Sequence, residues 1–256
     1  MSDREQILNR IREALKVDAA SSPGSPPAHE TRLAGDARSE QTRLAGELAR
    51  SSPSDPRTFM PPVGASDDDR LALFQLHSKD LRTELIPAAD LADAKTKLAE
   101  LAKREGWKKL ALHAGPLTTP ACEDLAATDG PALTLLRTDQ PYDVAELETC
   151  DAGVSECEAL IAQTGSVMVT SRTNGGRALS VLPPHHVVLA RRDQLVPDLG
   201  AAFARLRAAC AEGNFPSMVS FITGPSRTGD IERILVLGAH GPKKLTVIVI
   251  NLLASI

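Results

Sequence analysis

Ser226, Arg227, Thr228 and Asp230 stand almost side by side, directly after the Gly224-Pro225 turn that ends the apolar run Met218 to Thr223. A guanidinium grips a carboxylate or a phosphate with two parallel hydrogen bonds. The Ser226 and Thr228 hydroxyls donate, and glycines let backbone N–H groups approach a ligand closely. Asp230 can orient Arg227 or accept from a ligand hydroxyl. Gly224, Pro225, Ser226, Arg227, Thr228 and Asp230 are therefore candidates for an anion site, although a tight turn with Arg227 paired to Asp230 uses the same residues. Asp230 stands where a P-loop needs lysine, which disfavours nucleoside triphosphate hydrolysis. Gly238-Ala-His-Gly-Pro242 repeats the arrangement after another apolar segment. It is expected to open on the same edge of the same sheet, with His240 as acid, base or neutral donor and Gly241 beside it.

Three further stretches carry polar chemistry. Gln163-Thr-Gly-Ser166 lies between apolar segments and reads as a hairpin turn with Gly165 at positive φ, its Thr164 and Ser166 hydroxyls at the tip. Glu156 and Glu158 alternate with Val154, so they are expected to point the same way, one of them as a carboxylate nucleophile or base; a solvated strand face accounts for them equally. Arg172, Asn174 and the Gly175-Gly176 pair form a polar loop able to close over a ligand. Successive side chains of a strand point to opposite faces, so His185 and His186 are not expected to share a metal, and no metal site is expected.

These groups need a scaffold, and alternation supplies it. Ser66 reads as the N-cap of a helix containing Leu71, Phe74 and Leu81, with Asp67 to Asp69 at its positive end. A strand at Leu85-Ile86, a helix from Asp90 to Arg104, a strand from Lys109 to His113, a helix from Thr119 to Ala127 and a strand from Ala132 to Leu136 follow. Strands alternating with helices predict an α/β fold, a mostly parallel sheet with helices on both faces. The hairpin at 160–169 predicts an antiparallel insertion. His186 to Ala190 is the next strand, and Pro197 opens a helix with Leu199, Phe203 and Leu206 on its core side. Ile234 to Leu237 and Leu245 to Ile250 are the last strands, the second apolar enough to be covered on both faces. This domain spans 66–256. Before it, residues 1–16 read as an amphipathic helix carrying Ile7, Leu8, Ile11 and Leu15, and 17–65 as a Ser, Pro and Ala-rich linker.

Composition sets outer bounds. The 256 residues are 42% hydrophobic and 24% charged with a net charge of -4, ordinary for a globular protein and without attraction for nucleic acid. Aromatic residues make up 3%, too few to form stacking platforms for bases. No apolar run reaches the roughly 20 residues of a transmembrane helix, and the amino terminus lacks the order of a secretory signal, so a cytoplasmic protein is expected. Cys122, Cys150, Cys157 and Cys210 contain no Cys-x-x-Cys pair and read as buried free thiols.

Taken in order, Gln163-Thr-Gly-Ser166, Leu182-Pro-Pro-His-His186, Gly224-Pro-Ser-Arg-Thr-Gly-Asp-Ile-Glu232 and Gly238-Ala-His-Gly-Pro242 resemble the LUD-domain family, specifically its lactate utilisation protein C branch. The resemblance covers roughly residues 66 to 252. It implies a sheet like that of the NagB/RpiA/CoA-transferase group, whose loops bind phosphosugars or acyl groups in relatives. It implies a place in a three-protein system oxidising L-lactate to pyruvate, with iron-sulfur clusters on the partner subunits and no cofactor on this chain. The pocket it implies comprises Thr164, Gly165, Ser166, Gly224 to Thr228, Asp230, His240 and Gly241, with no catalytic assignment. Gln163 and Ser166 stand where relatives often show aspartate and threonine. Beside an accessory subunit that binds an anion stand two alternatives. One is a free-standing CoA-transferase-like or sugar-phosphate-isomerase-like enzyme using Glu156, Glu158 or His240. The other is a carboxylate-sensing regulator.

Overall fold

The computed structural model describes residues 62–127, 133–210, 213–231, 234–238 and 240–251. The expected helix at 1–16 and nearly all of the linker 17–65 lie outside them. Strands β1 (Glu84–Ala88), β2 (Lys109–Leu112), β3 (Thr134–Arg137), β4 (Ala152–Glu156), β7 (His185–Arg191) and β12 (Lys244–Ile250) form one sheet in the order β1-β12-β7-β4-β2-β3. Every pairing in it is parallel. As its sequence predicts, β12 runs through the interior, with Leu245 to Ile250 buried.

Alternation along β12 divides the core. Ile248 and Ile250 join Leu98 and Leu101 of α2 (Leu91–Glu105) and Ala121 and Cys122 of α3 (Thr118–Ala127) on one face. Leu245, Val247 and Val249 join Phe74 of α1 (Asp67–Leu81) on the other. Each large apolar side chain so buried contributes about 1.5 to 3 kcal/mol, a substantial share of a domain's net stability. Local signals place the helices as expected. Ser66 Oγ accepts from Asp69 N–H at 3.1 Å while the Asp69 carboxylate takes Ser66 N–H at 3.3 Å, a reciprocal cap. Asp90 caps α2 through Asp93 N–H at 2.8 Å.

The hairpin β5 (Ala159–Ile161) and β6 (Ser166–Thr170) forms as predicted. Rather than an insertion into the first sheet, it centres a second one in the order β8-β5-β6-β9, with β8 Leu195–Val196 and β9 Val219–Ile222. Val167 and Val169 of this sheet pack toward the first. Ile161 and Met168 pack on Ala202 and Leu206 of α6 (Leu199–Ala209). Here the predicted helix face needs correction. Leu206 is inside, but Leu199 and Phe203 are exposed at 36% and 45%, because small Ala202 sits where the sheet approaches. Arg227–Ile231 is also not a loop: it is strand β10, paired antiparallel with β11 (Ile234–Leu237) as a separate ribbon. Two short helices, α4 (Val144–Glu148) and α5 (Ser171–Asn174), and two 3-10 turns, Ala178–Ser180 and Arg192–Gln194, complete the described fold. Among the described residues no helix is long and apolar enough to cross a membrane.

Candidate functional site

The chain leaves β2 through α3 toward the edge strand β3, then returns through α4 to the other side of β2 as β4. Such a reversal opens a crevice at the carboxyl ends of the strands, where ligands of α/β sheets characteristically bind. Glu156, the last residue of β4, is buried there. Its Oε1 accepts from the N–H groups of Leu117 and Thr118, at 2.7 and 3.1 Å, at the amino terminus of α3. Negative charge suits that helix end. The carboxylate thus caps the helix with one oxygen, while Oε2 takes no hydrogen bond from the described residues and is left for chemistry. Gly115 makes this approach possible, since a Cβ there would lie 2.2 Å from Oε1. His113 Nδ1 sits 3.2 Å from Thr138 Oγ1 at the same edge. Gly175 presses on both, its hypothetical Cβ 2.5 Å from the His113 ring. Asn174 donates to Gly176 O and Ser180 Oγ, and its Oδ1 is buried without a partner among the described residues.

Glu158 does not join Glu156. Backbone pairing ends at Glu156 and resumes at Ala159 in the other sheet, and Glu158 accepts from Thr170 Oγ1 at 3.2 Å instead. Arg172 donates to Ala209 O and Cys210 Sγ at the end of α6, and the candidates at 163–166, 224–227 and 238–242 gather at the opposite, amino-terminal edge. Gly165, at φ 64 as expected, packs on His77 and Leu81 of α1. Thr164, Ser166 and Thr223 form a hydroxyl chain with links of 2.8 Å each. Gly224 lies against Leu81, and exposed Arg227 donates to the Leu81 carbonyl, closing the carboxyl end of α1. The loops 224–227 and 238–242 do meet: Ser226 N–H donates to Pro242 O at 2.9 Å and Gly238 N–H to Ser226 O at 3.0 Å. They belong to different sheets, however, because Gly224 follows β9 and Pro242 precedes β12. The side chains of Thr228 and Asp230 lie outside the described part of the ribbon.

Two clefts flank these loops. One, of about 310 Å³, is lined by Arg82, Arg104, Lys243, Lys244, Glu84 and Glu105, with Pro225 and Thr246 at its wall. The other, of about 380 Å³, holds exposed His240 with Gly241, Glu148 and Pro184, and shares Lys243 with the first. Arg104 Nη2 bonds both oxygens of Glu84 at 2.8 and 2.7 Å, which raises its pKa above the ordinary value. Lys244 pairs with Glu105 at 2.5 Å and holds that carboxyl below its usual range.

Under the first cleft, Thr246 Oγ1 donates to Glu84 at 3.0 Å and so accepts from His185 Nε2 at 2.8 Å. That assigns the His185 proton to Nε2 and leaves Nδ1 a buried acceptor without a partner among the described residues. Burial lowers the His185 pKa to about 4. His186 bonds Ser155 at 2.9 Å, and burial takes it down to about 3. Both rings are structural and neutral. Among the described residues, no group of three His, Cys, Asp or Glu is placed to hold a metal ion.

Sequence reasoning selected Glu156 but not His113, Thr118, Thr138, Arg82 or Lys243. The available signal was the Gly115-Pro116 turn between a strand and a helix for the first group, and the αβ and loop-to-strand junctions for the last two.

Comparison with known proteins matches the LUD domain to residues 73–250. A lactate utilization protein C from Shouchella clausii is 34% identical over 113 residues, covering 44% of this chain and 49% of that protein. The corresponding Deinococcus radiodurans protein is 35% identical over 120 residues, covering 46% and 55%. The chain thus spans about half the length of these two relatives. A lactate utilization protein C from Bacillus licheniformis is 30% identical over 205 residues, covering 73% of this chain and 81% of the relative. A crystal structure of a DUF162 family protein from Deinococcus radiodurans shares the fold at a TM-score of 0.53 and 23% identity, over 73% of this chain and all of the other.

Proposed function

The chain belongs to the LUD-domain family, and from that premise we propose that it serves lactate utilisation as an accessory subunit of a cytoplasmic system that oxidises L-lactate to pyruvate. In this reading it holds an anionic small molecule where the 224–227 and 238–243 loops meet, and partner subunits carry the iron-sulfur clusters. The observation that carries the reading is the family match over 73–250, together with relatives named lactate utilization protein C. Deleting the gene should abolish growth on L-lactate as sole carbon source, and the full chain supplied in trans should restore it. Undiminished growth of the deletion strain would refute the role.

A second reading is favoured by Glu156. A carboxylate with one oxygen fixed and one free, at the reversal point of a parallel sheet, is suited to acyl or proton transfer. If the isolated chain is such an enzyme, it turns over CoA esters or sugar phosphates, and Glu156→Gln removes at least about 99% of the rate, the scale expected when a nucleophile or base is lost. Equal turnover by parent and variant would exclude Glu156 from the chemistry.

A further inference from the structure

We propose that Arg82 and Lys243 together hold a phosphomonoester in the cleft at the amino-terminal edge of the parallel sheet. The proposal deepens the reading that this chain binds an anionic small molecule, and rests on it. Four cations line the cleft against two carboxylates. Glu84 is already engaged by Arg104, and Glu105 by Lys244. The side chains of Arg82 and Lys243 make no hydrogen bond or ion pair with the described residues, so among those residues two positive charges on one concave surface have no carboxylate partner. A phosphomonoester carries about -1.5 to -2 at neutral pH and matches them. L-Lactate has one carboxylate and matches one.

The backbone points the same way. Arg82 closes α1 at φ 62, the only non-glycine residue with positive φ among those described. That position favours glycine, and an arginine kept at a conformational disadvantage is a signal of function. Lys243 is held by packing: its stem lies across Gly238, where a Cβ would come within 2.3 Å of Lys243 Cγ. Lys243 borders both clefts, so the cleft that holds His240 adjoins this one. Arg227 is not the anchor, because its guanidinium closes the end of α1.

Isothermal titration calorimetry of the full chain with phenyl phosphate, inorganic phosphate and L-lactate tests this. Phenyl phosphate should bind more tightly than L-lactate. Arg82→Gly and Lys243→Gln should each weaken it about tenfold to a hundredfold, the range of a lost charge-assisted hydrogen bond, while Arg207→Gln, an exposed control on α6 outside the cleft lining, should change it by less than about twofold. Glycine suits the left-handed position, so Arg82→Gly should melt no lower than the parent and its loss of affinity is not a folding defect. If Arg227→Gln abolishes binding while the other two variants keep it, the anion reading stands and this assignment falls. If L-lactate binds as tightly as phenyl phosphate, the phosphomonoester class falls. If the parent binds no anion, both readings fall.

Discussion

Burial holds the His185 and His186 rings neutral, with pKa values of about 4 and about 3 against 6.5 in an open chain. Within that window the unfolded state binds more protons than the native state, and stability then rises with pH. The stability contributed by keeping these rings neutral is fully present above about pH 6.5 and is lost progressively as pH falls toward the native values. A histidine inside the window contributes a slope of about 1.4 kcal/mol per pH unit. His186 is the cleaner probe, since His185 also faces the charges of Glu105, Lys244, Glu84 and Arg104. Urea denaturation of His186→Gln between about pH 7 and pH 5 should show a pH dependence shallower than the parent's by about one proton. Parallel curves for parent and variant would mean that His186 does not titrate on unfolding. Residue type alone put these histidines on opposite faces of a strand. It could not say that each would meet a hydroxyl from a neighbouring strand, Ser155 on β4 and Thr246 on β12.

At the scale of elements, sequence reads well wherever a local pattern and a local cap coincide. The Ser66 and Asp90 caps set the starts of α1 and α2, the 160–169 turn set the hairpin, and the unbroken apolar run of β12 set its place inside the sheet. It reads badly where tertiary contacts decide. Strand β10 is polar, and a two-stranded ribbon pairs through its backbone, so no apolar period announces it. Helix α6 offers Leu199, Phe203 and Leu206 on one stripe, but the second sheet meets it at Ala202 and Leu206, and the stripe turns partly outward. The candidate site shows the same division. The 224–227 and 238–242 loops were legible as polar turns, and their meeting through Ser226 and Pro242 agrees with the expectation of proximity. Their separation onto two sheets, and the placing of Glu156 against Leu117 and Thr118, follow from strand order and from partners nearly forty residues away. No local spacing encodes these relations.

Across the whole molecule, the two polar edges are kept apart by the sheet itself. Arg82 and Lys243 precede β1 and β12, whereas Glu156 ends β4. The seven-residue β12 spans about 20 Å. Between the edges lie buried Val187, Val188, Leu189, Val247 and Ile248, and the two sets of charged groups share no hydrogen-bond partner among the described residues. Sites separated by more than about 10 Å without common partners act additively to within about 0.5 kcal/mol. A cycle of Arg82→Gly, Glu156→Gln and the double variant should therefore show additive effects on unfolding free energy. Glu156→Gln alone should leave phenyl phosphate affinity unchanged if the phosphate is held by Arg82 and Lys243 at the amino-terminal edge. The helix-capping role of Glu156 confines its stability cost to α3, since glutamine keeps an accepting oxygen for Leu117 and Thr118 while losing the charge at the helix end. A coupling above about 1 kcal/mol, or a phosphate affinity that shifts with Glu156, would mean that the sheet transmits strain between its ends. The two edges would then work as one site rather than as two.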